Sequence, residues 1–333
     1  MQDRYGHRIS YLRVSITDRC NERCSYCMPQ ELQEWLPRHE ILTYEETLRL
    51  IRIAAELGVS KVRITGGEPL TRRGMLDFVR QIPDIPRITS IGLSTNGTLL
   101  AREITSPRTM AKELREAGVQ SVNISLDTLD AAVYSQITGR DFHSQVLDGI
   151  DAAIGAGFDQ IKLNAVLMRG RNEDQLLPLI EFAAERNLLV RFIELMPVSS
   201  TEVLNESNFM SVMEARRLVE SAYGSLIPEK QFRTNGPATY YQIPGRAQRI
   251  GFIGAMTNMH FCENCNKLRL TCDGKLRPCL GSYLEFDIMG PLRAGASDEQ
   301  LKQFFLNVVE RKPQEHDFRN NYQPNRKMIA IGG

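Results

Sequence analysis

The chain has 333 residues, 42 % hydrophobic and 24 % charged, with 41 basic against 40 acidic side chains and a formal net charge of +1. Such a length supports one large core, or a large domain with a smaller one, and the near-neutral balance excludes a polyanion binder that works through bulk positive field, so no nucleic-acid partner is expected. No stretch reaches the apolar length of a membrane span and the opening "MQDRYGHRIS" has no apolar secretory core, so the expected compartment is the cytoplasm.

In chain order, β-rich runs are predicted at 11–17, 61–65, 90–94, 121–126, 160–168 and 189–195. Helical patterns lie between them. Thr43 and Glu46 make a capping-box pattern before "LRLIRIAAELG", which Gly58 ends. Ser106-Pro107 is predicted to open the next helix, with proline in the first helical position and Gly118 as its close. Asn172 is predicted to cap "EDQLLPLIEFAAERN", a helix that Pro178 interrupts. This βα rhythm repeats about six times and argues for an α/β fold with a parallel sheet or barrel, short of the eight units of a full barrel. After residue 225 glycine, proline and short strands take over, four cysteines appear, and one helix follows at "SDEQLKQFFLNVVERK". The chain therefore divides into a core domain, 1–225, and a smaller module packed against it, 226–333.

In a parallel barrel, reactive side chains gather where strands end. The cysteine-rich "DRCNERCSYCMP" follows the first strand, "GGEP" (66–69) the second, "STNG" (94–97) the third and "SLD" (125–127) ends the fourth; Met196 ends the sixth. The two-residue period of a strand puts Arg13, Ser15 and Thr17 on one face, likewise Lys61, Arg63 and Thr65, and likewise Lys162 and Asn164. Cations in mid-strand either meet an anion or are paired internally.

The seven cysteines are an odd number, and thiols stay reduced in the cytoplasm, so metal ligation is favoured over disulfides. Cys20, Cys24 and Cys27 form C-x3-C-x2-C. Thiolates suit zinc or iron–sulfur clusters. Three of them on a 4Fe–4S cube leave one iron open to bind a ligand; the alternative is a Cys3His zinc site completed by His39. Cys262, Cys265, Cys272 and Cys279 could by spacing alone close a zinc site or a full cluster.

C-x3-C-x2-C with Tyr26 before the last cysteine, then "GGEP", in a six-unit pattern, resembles the radical S-adenosylmethionine (SAM) superfamily. "YLRVSITDRCNERCSYCMP", "KVRITGGEPL", "NISLDTLD", "VRFIELMP", "CNKLRL" and the final "GG" extend that likeness, in order and end to end, to the GTP 3′,8-cyclase family of molybdenum cofactor biosynthesis. The resemblance implies a partial (βα)6 TIM-like barrel with a smaller iron–sulfur module closing it. It implies a SAM-bound 4Fe–4S cluster on Cys20, Cys24 and Cys27, and a second on Cys262, Cys265 and Cys279 with Cys272 a bystander. Tyr26, Gly67, Ser125 and Met196 match SAM-contacting positions, Gly67 by letting the backbone approach the cofactor. Arg13, Arg63, Ser94, Lys162, Lys267 and Arg269 match GTP-contacting ones, with Arg191 a further candidate. Arg is favoured for bidentate phosphate contact, and no Walker-type phosphate loop is present. The implied reaction is removal of the 3′-hydrogen of GTP by a 5′-deoxyadenosyl radical and closure onto C8, with one electron added through the second cluster. The implied partners are an external one-electron reductant and a downstream cyclic pyranopterin monophosphate synthase, and the chain is expected as a monomer or homodimer. Gly332 and Gly333 would enter the active-site cavity and support catalysis. One departure is Lys267, where the family commonly has arginine; lysine keeps the charge and loses the planar fork, so weaker GTP binding is expected. Competing readings are a peptide-modifying radical SAM maturase with an auxiliary cluster and a non-enzymatic zinc-binding protein.

Overall fold

One parity of residues along each of the first six strands is apolar, apart from Thr95 and Glu194 at the ends of the third and sixth. Leu12 and Val14 on β1 (Tyr11–Ser15), Val62 and Ile64 on β2 (Lys61–Thr65) and Leu93 on β3 (Ser90–Thr95) are 0 % exposed. So are Val122 and Ile124 on β4 (Ser121–Ser125), Leu163 on β5 (Gln160–Leu167), and Val190 and Phe192 on β6 (Leu189–Glu194). These residues form one core with the buried faces of the helices, α1 (Tyr44–Glu56) giving it Leu50, Ile51 and Ala54. Each such aliphatic side chain contributes roughly 1.5–3 kcal/mol by burial, enough to fix which parity faces outward. A computed structural model gives this arrangement for all residues except 29–33, 200–203, 233, 235, 321, 323 and 333.

The remaining helices are α2 (Met75–Arg80), α3 (Met110–Glu116), α4 (Ala131–Thr138), α5 (His143–Ala156), α6 (Leu176–Glu185), α7 (Val212–Tyr223), α8 (Met289–Arg293), α9 (Asp298–Glu310) and α10 (Met328–Ile331). The remaining strands of the main sheet are β7 (Ile227–Pro228), β8 (Thr239–Gln242), β9 (Arg249–Ile253), β10 (Lys267–Leu270), β11 (Lys275–Arg277) and β12 (Phe286–Asp287). The sheet has twelve strands in the order β12-β11-β10-β1-β2-β3-β4-β5-β6-β9-β8-β7. The six predicted strands are its centre, parallel and in sequence order. β10 joins β1 and β9 joins β6, both parallel. The βα rhythm does stop near residue 225, yet the sheet runs on through residues 226–333 at both edges. The sheet curls: Arg191 on β6 lies within electrostatic reach of Arg63 on β2 and Tyr11 on β1.

The capping box of α1 is present, Thr43 accepting from the Glu46 amide and Glu46 from the Thr43 amide, and Gly58 follows at φ +100°. Two expectations are corrected. Ser106-Pro107 sits at the tip of a hairpin between Glu103–Thr105 and Arg108–Thr109, and α3 starts only at Met110. Thr109 wins the N-cap because its hydroxyl accepts from the Lys112 amide. Asn172 precedes a 3-10 turn, Glu173–Gln175, but its side chain does not cap it: its amide accepts from the Met168 N–H and donates to the carbonyls of Asp127 and Val166. α6 begins at Leu176, so Pro178 falls in its first turn, where no helical hydrogen bond is lost. Among the described residues no helix is long and apolar enough to cross a membrane.

Candidate functional site

The other strand parity faces inward and is almost entirely polar. Strand register aligns Arg269, Arg13, Arg63, Gly92 and Ser121 in one row across β10, β1, β2, β3 and β4. A second row holds Ser94, Asn123 and Lys162, and a third Ser125, Asn164 and Arg191. Buried parallel strands are usually apolar on both faces; this interior is a basic funnel. Arg63, Lys162 and Arg191 are 2 %, 3 % and 5 % exposed. Burying an unpaired cation costs several kcal/mol, and the response is visible in acidity. Burial, with Arg191 and Arg63 nearby, pulls Lys162 down to about 6. Burial and Arg13 pull Arg269 down to about 9.

Arg63 is held by what Gly92 lacks. A Cβ there would lie 2.5 Å from Arg63 Nη2. In the space left, Arg63 donates to the Tyr11 hydroxyl at 2.7 Å, the Leu93 carbonyl at 2.6 Å and Ser121 Oγ at 2.9 Å. Arg191 donates to Asn164 Oδ1 at 2.6 and 2.9 Å.

The loop after β1 carries Cys20, Cys24 and Cys27, all free and half-buried. It is clamped to the loop after β2: the amides of Gly67 and Glu68 donate to the carbonyls of Thr17 and Arg19. A Cβ on Gly67 would sit 2.3 Å from the Arg19 carbonyl oxygen, so the approach of the cysteine loop itself already requires glycine there. Glu68, 1 % exposed, accepts from the Leu70 and Asn96 amides and Thr95 Oγ1. Tyr26 donates to Asp127 Oδ2 at 2.9 Å and so ties the loop to the end of β4, beside the exposed Ser125. Met196, two residues past β6, packs beside Val198, Ala255, Phe318 and Tyr322. Acids crowd this loop. Glu22 accepts from the Cys24 thiol at 3.7 Å and from the Tyr134 hydroxyl. Burial and Glu22 push Cys27 up to about 12 and Cys24 well above its usual value. Burial lifts Glu22 itself to about 7.

The second set has the opposite surroundings. Cys262 and Cys265 share a turn, the Cys265 amide donating to the Cys262 carbonyl at 3.0 Å. Burial would raise the Cys265 thiol, but Lys312 and Lys267 hold it below its usual value. Burial pushes Cys279 up to about 11 despite Lys312. Lys312 is 3 % exposed and donates to the Pro278 carbonyl at 2.5 Å. Cys272 is 1 % exposed on the turn after β10; its electrostatic neighbours are Asp273, Asp18 and Arg326, and its carbonyl accepts from the Leu42 amide. Among the described residues no three His, Cys, Asp or Glu side chains converge on a single-ion site. His39, with an 80 % exposed side chain paired to Glu40, does not complete one with the first set. Both triads are free thiols within electrostatic reach of one another, Cys24 of Cys20 and Cys27, and Cys279 of Cys262 and Cys265, an all-sulfur donor set whose chemistry fits an iron–sulfur cluster.

Two devices join the regions. Glu194, 0 % exposed at the end of β6, accepts from the amides of Val212, Met256 and Thr257, which pins the chain leading to Cys262. The C-terminal segment reaches the funnel mouth. Ser199 Oγ accepts from the Met328 amide and donates to the Cys27 carbonyl. The Gly332 carbonyl accepts from Arg269 Nη1 at 2.7 Å. Gly332 has φ +76°, and a Cβ there would lie 2.8 Å from Thr65 Cγ2. Gly333 lies outside the described residues.

Sequence reasoning missed Tyr11, Asn123, Glu22 and Lys312, and it quoted Glu68 within "GGEP" and Asp127 within "SLD" without giving either a role. Tyr11 stands two residues before Arg13 and Asn123 two before Ser125, so strand period alone would have found both. The three acids and Lys312 act by burial, which no local pattern carries.

The description "Radical SAM superfamily" matches residues 14–183 and "Molybdenum Cofactor Synthesis C" residues 188–318. A GTP 3′,8-cyclase of Pelotomaculum thermopropionicum is 43 % identical over 333 residues, and one of Moorella thermoacetica 44 % over 333, each covering 100 % of both chains. Streptococcus suis SuiB bound to S-adenosylmethionine shares the fold at a TM-score of 0.63 and 14 % identity, over 98 % of this chain and 78 % of that one.

Proposed function

The chain belongs to the GTP 3′,8-cyclases of the radical SAM superfamily, and on that premise we propose how its residues divide the work. It is a lyase of molybdenum cofactor biosynthesis that converts GTP to (8S)-3′,8-cyclo-7,8-dihydroguanosine 5′-triphosphate with SAM and a 4Fe–4S cluster. Cys20, Cys24 and Cys27 would hold that cluster, and Cys262, Cys265 and Cys279 a second one facing the substrate. When bound, the first cluster supplies the electron that splits the sulfonium of SAM.

The observation that carries this division is the inward cluster of buried cations, of which Arg63, Lys162, Lys267 and Arg269 have no carboxylate partner among the described residues. Arg13, Arg63, Lys162, Lys267 and Arg269 would hold the triphosphate, with Ser94 in the same row as Lys162, on the far side of Asn123. Charge-assisted contacts of this kind gain strength in a site from which water is excluded. Tyr26, Gly67, Ser125 and Met196, at strand ends around the first set, would hold SAM; Asp127 fixes Tyr26. Gly332, seated against Arg269 and Thr65, would close the mouth and, with Gly333, support catalysis. An external one-electron reductant and a cyclic pyranopterin monophosphate synthase would complete the pathway in the cytoplasm.

The test is anaerobic reconstitution followed by incubation with SAM, GTP and a reductant. The expected result is about seven to eight irons per chain, 5′-deoxyadenosine, and a product isomeric with GTP. A colourless zinc protein, or 5′-deoxyadenosine without a GTP isomer, would overturn the assignment. Removing Gly332 and Gly333 should abolish the isomer with both clusters retained; full turnover by the shortened chain would refute a role for the tail.

A further inference from the structure

Tyr11 stands among the funnel cations and belongs to neither thiol set. It is 4 % exposed. Its hydroxyl accepts from Arg63 Nε at 2.7 Å. Lys61 Nζ and Lys267 Nζ lie 5.3 and 5.7 Å from its ring centroid, within cation–π range. Arg13 stands two residues along the same face, and Arg191 feels Tyr11 from β6. The charged groups facing it are thus Arg13 on its own strand, Lys61 and Arg63 on β2, Lys267 on β10 and Arg191 on β6. Among the described residues no carboxylate pairs with Lys61, Arg63, Lys162, Arg191, Lys267 or Arg269. A carboxylate at this node would neutralise the cations permanently and compete with any phosphate. A phenol can do so conditionally.

We propose that Tyr11 is a positioning residue of the triphosphate subsite and the counter-ion of the empty barrel, releasing its proton while the cations are alone and regaining one from solvent when triphosphate arrives. The proposal rests on GTP as substrate. Burial raises the Tyr11 phenol, but Arg63, Arg13, Lys61 and Lys267 outweigh it and bring it down to about 7. A bound triphosphate takes over those cations and its own charge disfavours a phenolate, so the phenol reprotonates: one O–H bond forms and one solvent proton is consumed. Lys162, also low when the barrel is empty, gains a proton in the same direction. Binding coupled to proton uptake weakens as pH rises, by about tenfold per unit for each proton.

The test is calorimetry of GTP binding to the anaerobic holoenzyme without SAM, at pH 8, in two buffers of different ionisation heat. At that pH the terminal phosphate, with a second pKa of about 6, is already ionised and adds no proton of its own. The wild type is expected to take up close to one proton more than Tyr11→Phe, which keeps the ring and loses the hydroxyl. Its affinity should also fall more steeply between pH 7 and pH 8. Tyr11→Glu should abolish GTP binding with both clusters intact. GTP binding with equal proton counts in the wild type and Tyr11→Phe overturns this proposal alone; no GTP binding by the wild type overturns the substrate assignment and the proposal with it. Should Tyr11→Phe fail to fold, Lys162→Met carries the question: proton uptake at pH 8 must persist there, and its absence overturns the proposal.

Discussion

Cys24 and Cys265 are both free thiols on short cysteine-rich turns, yet their neighbours have opposite sign. Cys24 lies against Glu22, and the same loop feels Glu68 and Asp127. Cys265 lies against Lys312 and Lys267. The potential of an iron–sulfur cluster follows the charge and hydrogen bonds around its sulfurs. Acids beside the first triad would make an added electron costly, so a cluster held there would be the stronger donor, as splitting a sulfonium requires. Cations beside the second triad would make an electron welcome on a cluster held there and would suit negative phosphates nearby. One chain thus gives two similar cysteine sets surroundings of opposite charge by what it buries next to each.

The comparison can be broken outright by removing ligands. Cys24→Ser should lose about half the iron and all 5′-deoxyadenosine; Cys265→Ser should lose about half the iron and keep SAM cleavage without cyclising GTP. Cys272→Ser should leave iron content unchanged, and a loss there would return Cys272 to the ligand set. Thiol reactivity sharpens the contrast. The thiolate is the nucleophile, so in metal-free protein at pH 8 iodoacetamide should modify Cys265 about tenfold or more faster than Cys24 and Cys27; mass mapping that finds the reverse order would contradict the charge pattern. A smaller effect is expected in potential: Lys312→Met should lower that of the second cluster by on the order of 50 mV and leave the first unmoved. Glu22→Gln should raise the first by a similar amount at pH 8. Since burial holds Glu22 near 7, its carboxyl neutralises as pH falls through that value, and the difference from Gln should close by pH 6. Redox titration followed by electron paramagnetic resonance reads both. The smallest change is Lys267→Arg, expected to tighten GTP by about two- to threefold; unchanged affinity would show that the lost fork was immaterial.

The six central strands were legible because their outer parity is mostly apolar and their inner parity mostly polar. The first cysteine triad and the mid-strand cations Arg13, Arg63 and Lys162 stood out by spacing and alternation, whereas the choice of Cys262, Cys265 and Cys279 over Cys272 came only with the family resemblance. The hairpin around Ser106-Pro107 was not, because Thr109 offers a hydroxyl cap that outcompetes proline's fixed φ. Asn172 was misread because its partners, Asp127 and Val166, are distant or on the preceding strand. The acids around the first triad and Lys312 beside the second were invisible for the same reason: their effect depends on burial set by the whole fold.

Gly92 carries no reactive atom and touches neither thiol set. Because the guanidinium of Arg63 occupies the volume a methyl group would need, a single added carbon on β3 would dislodge the arginine, free the hydroxyl it grips, and scramble the lining of the funnel. A mutational scan of this enzyme should therefore score position 92 like a catalytic position, and an engineer seeking to recast the cavity for a different nucleotide would do well to leave that hydrogen atom alone.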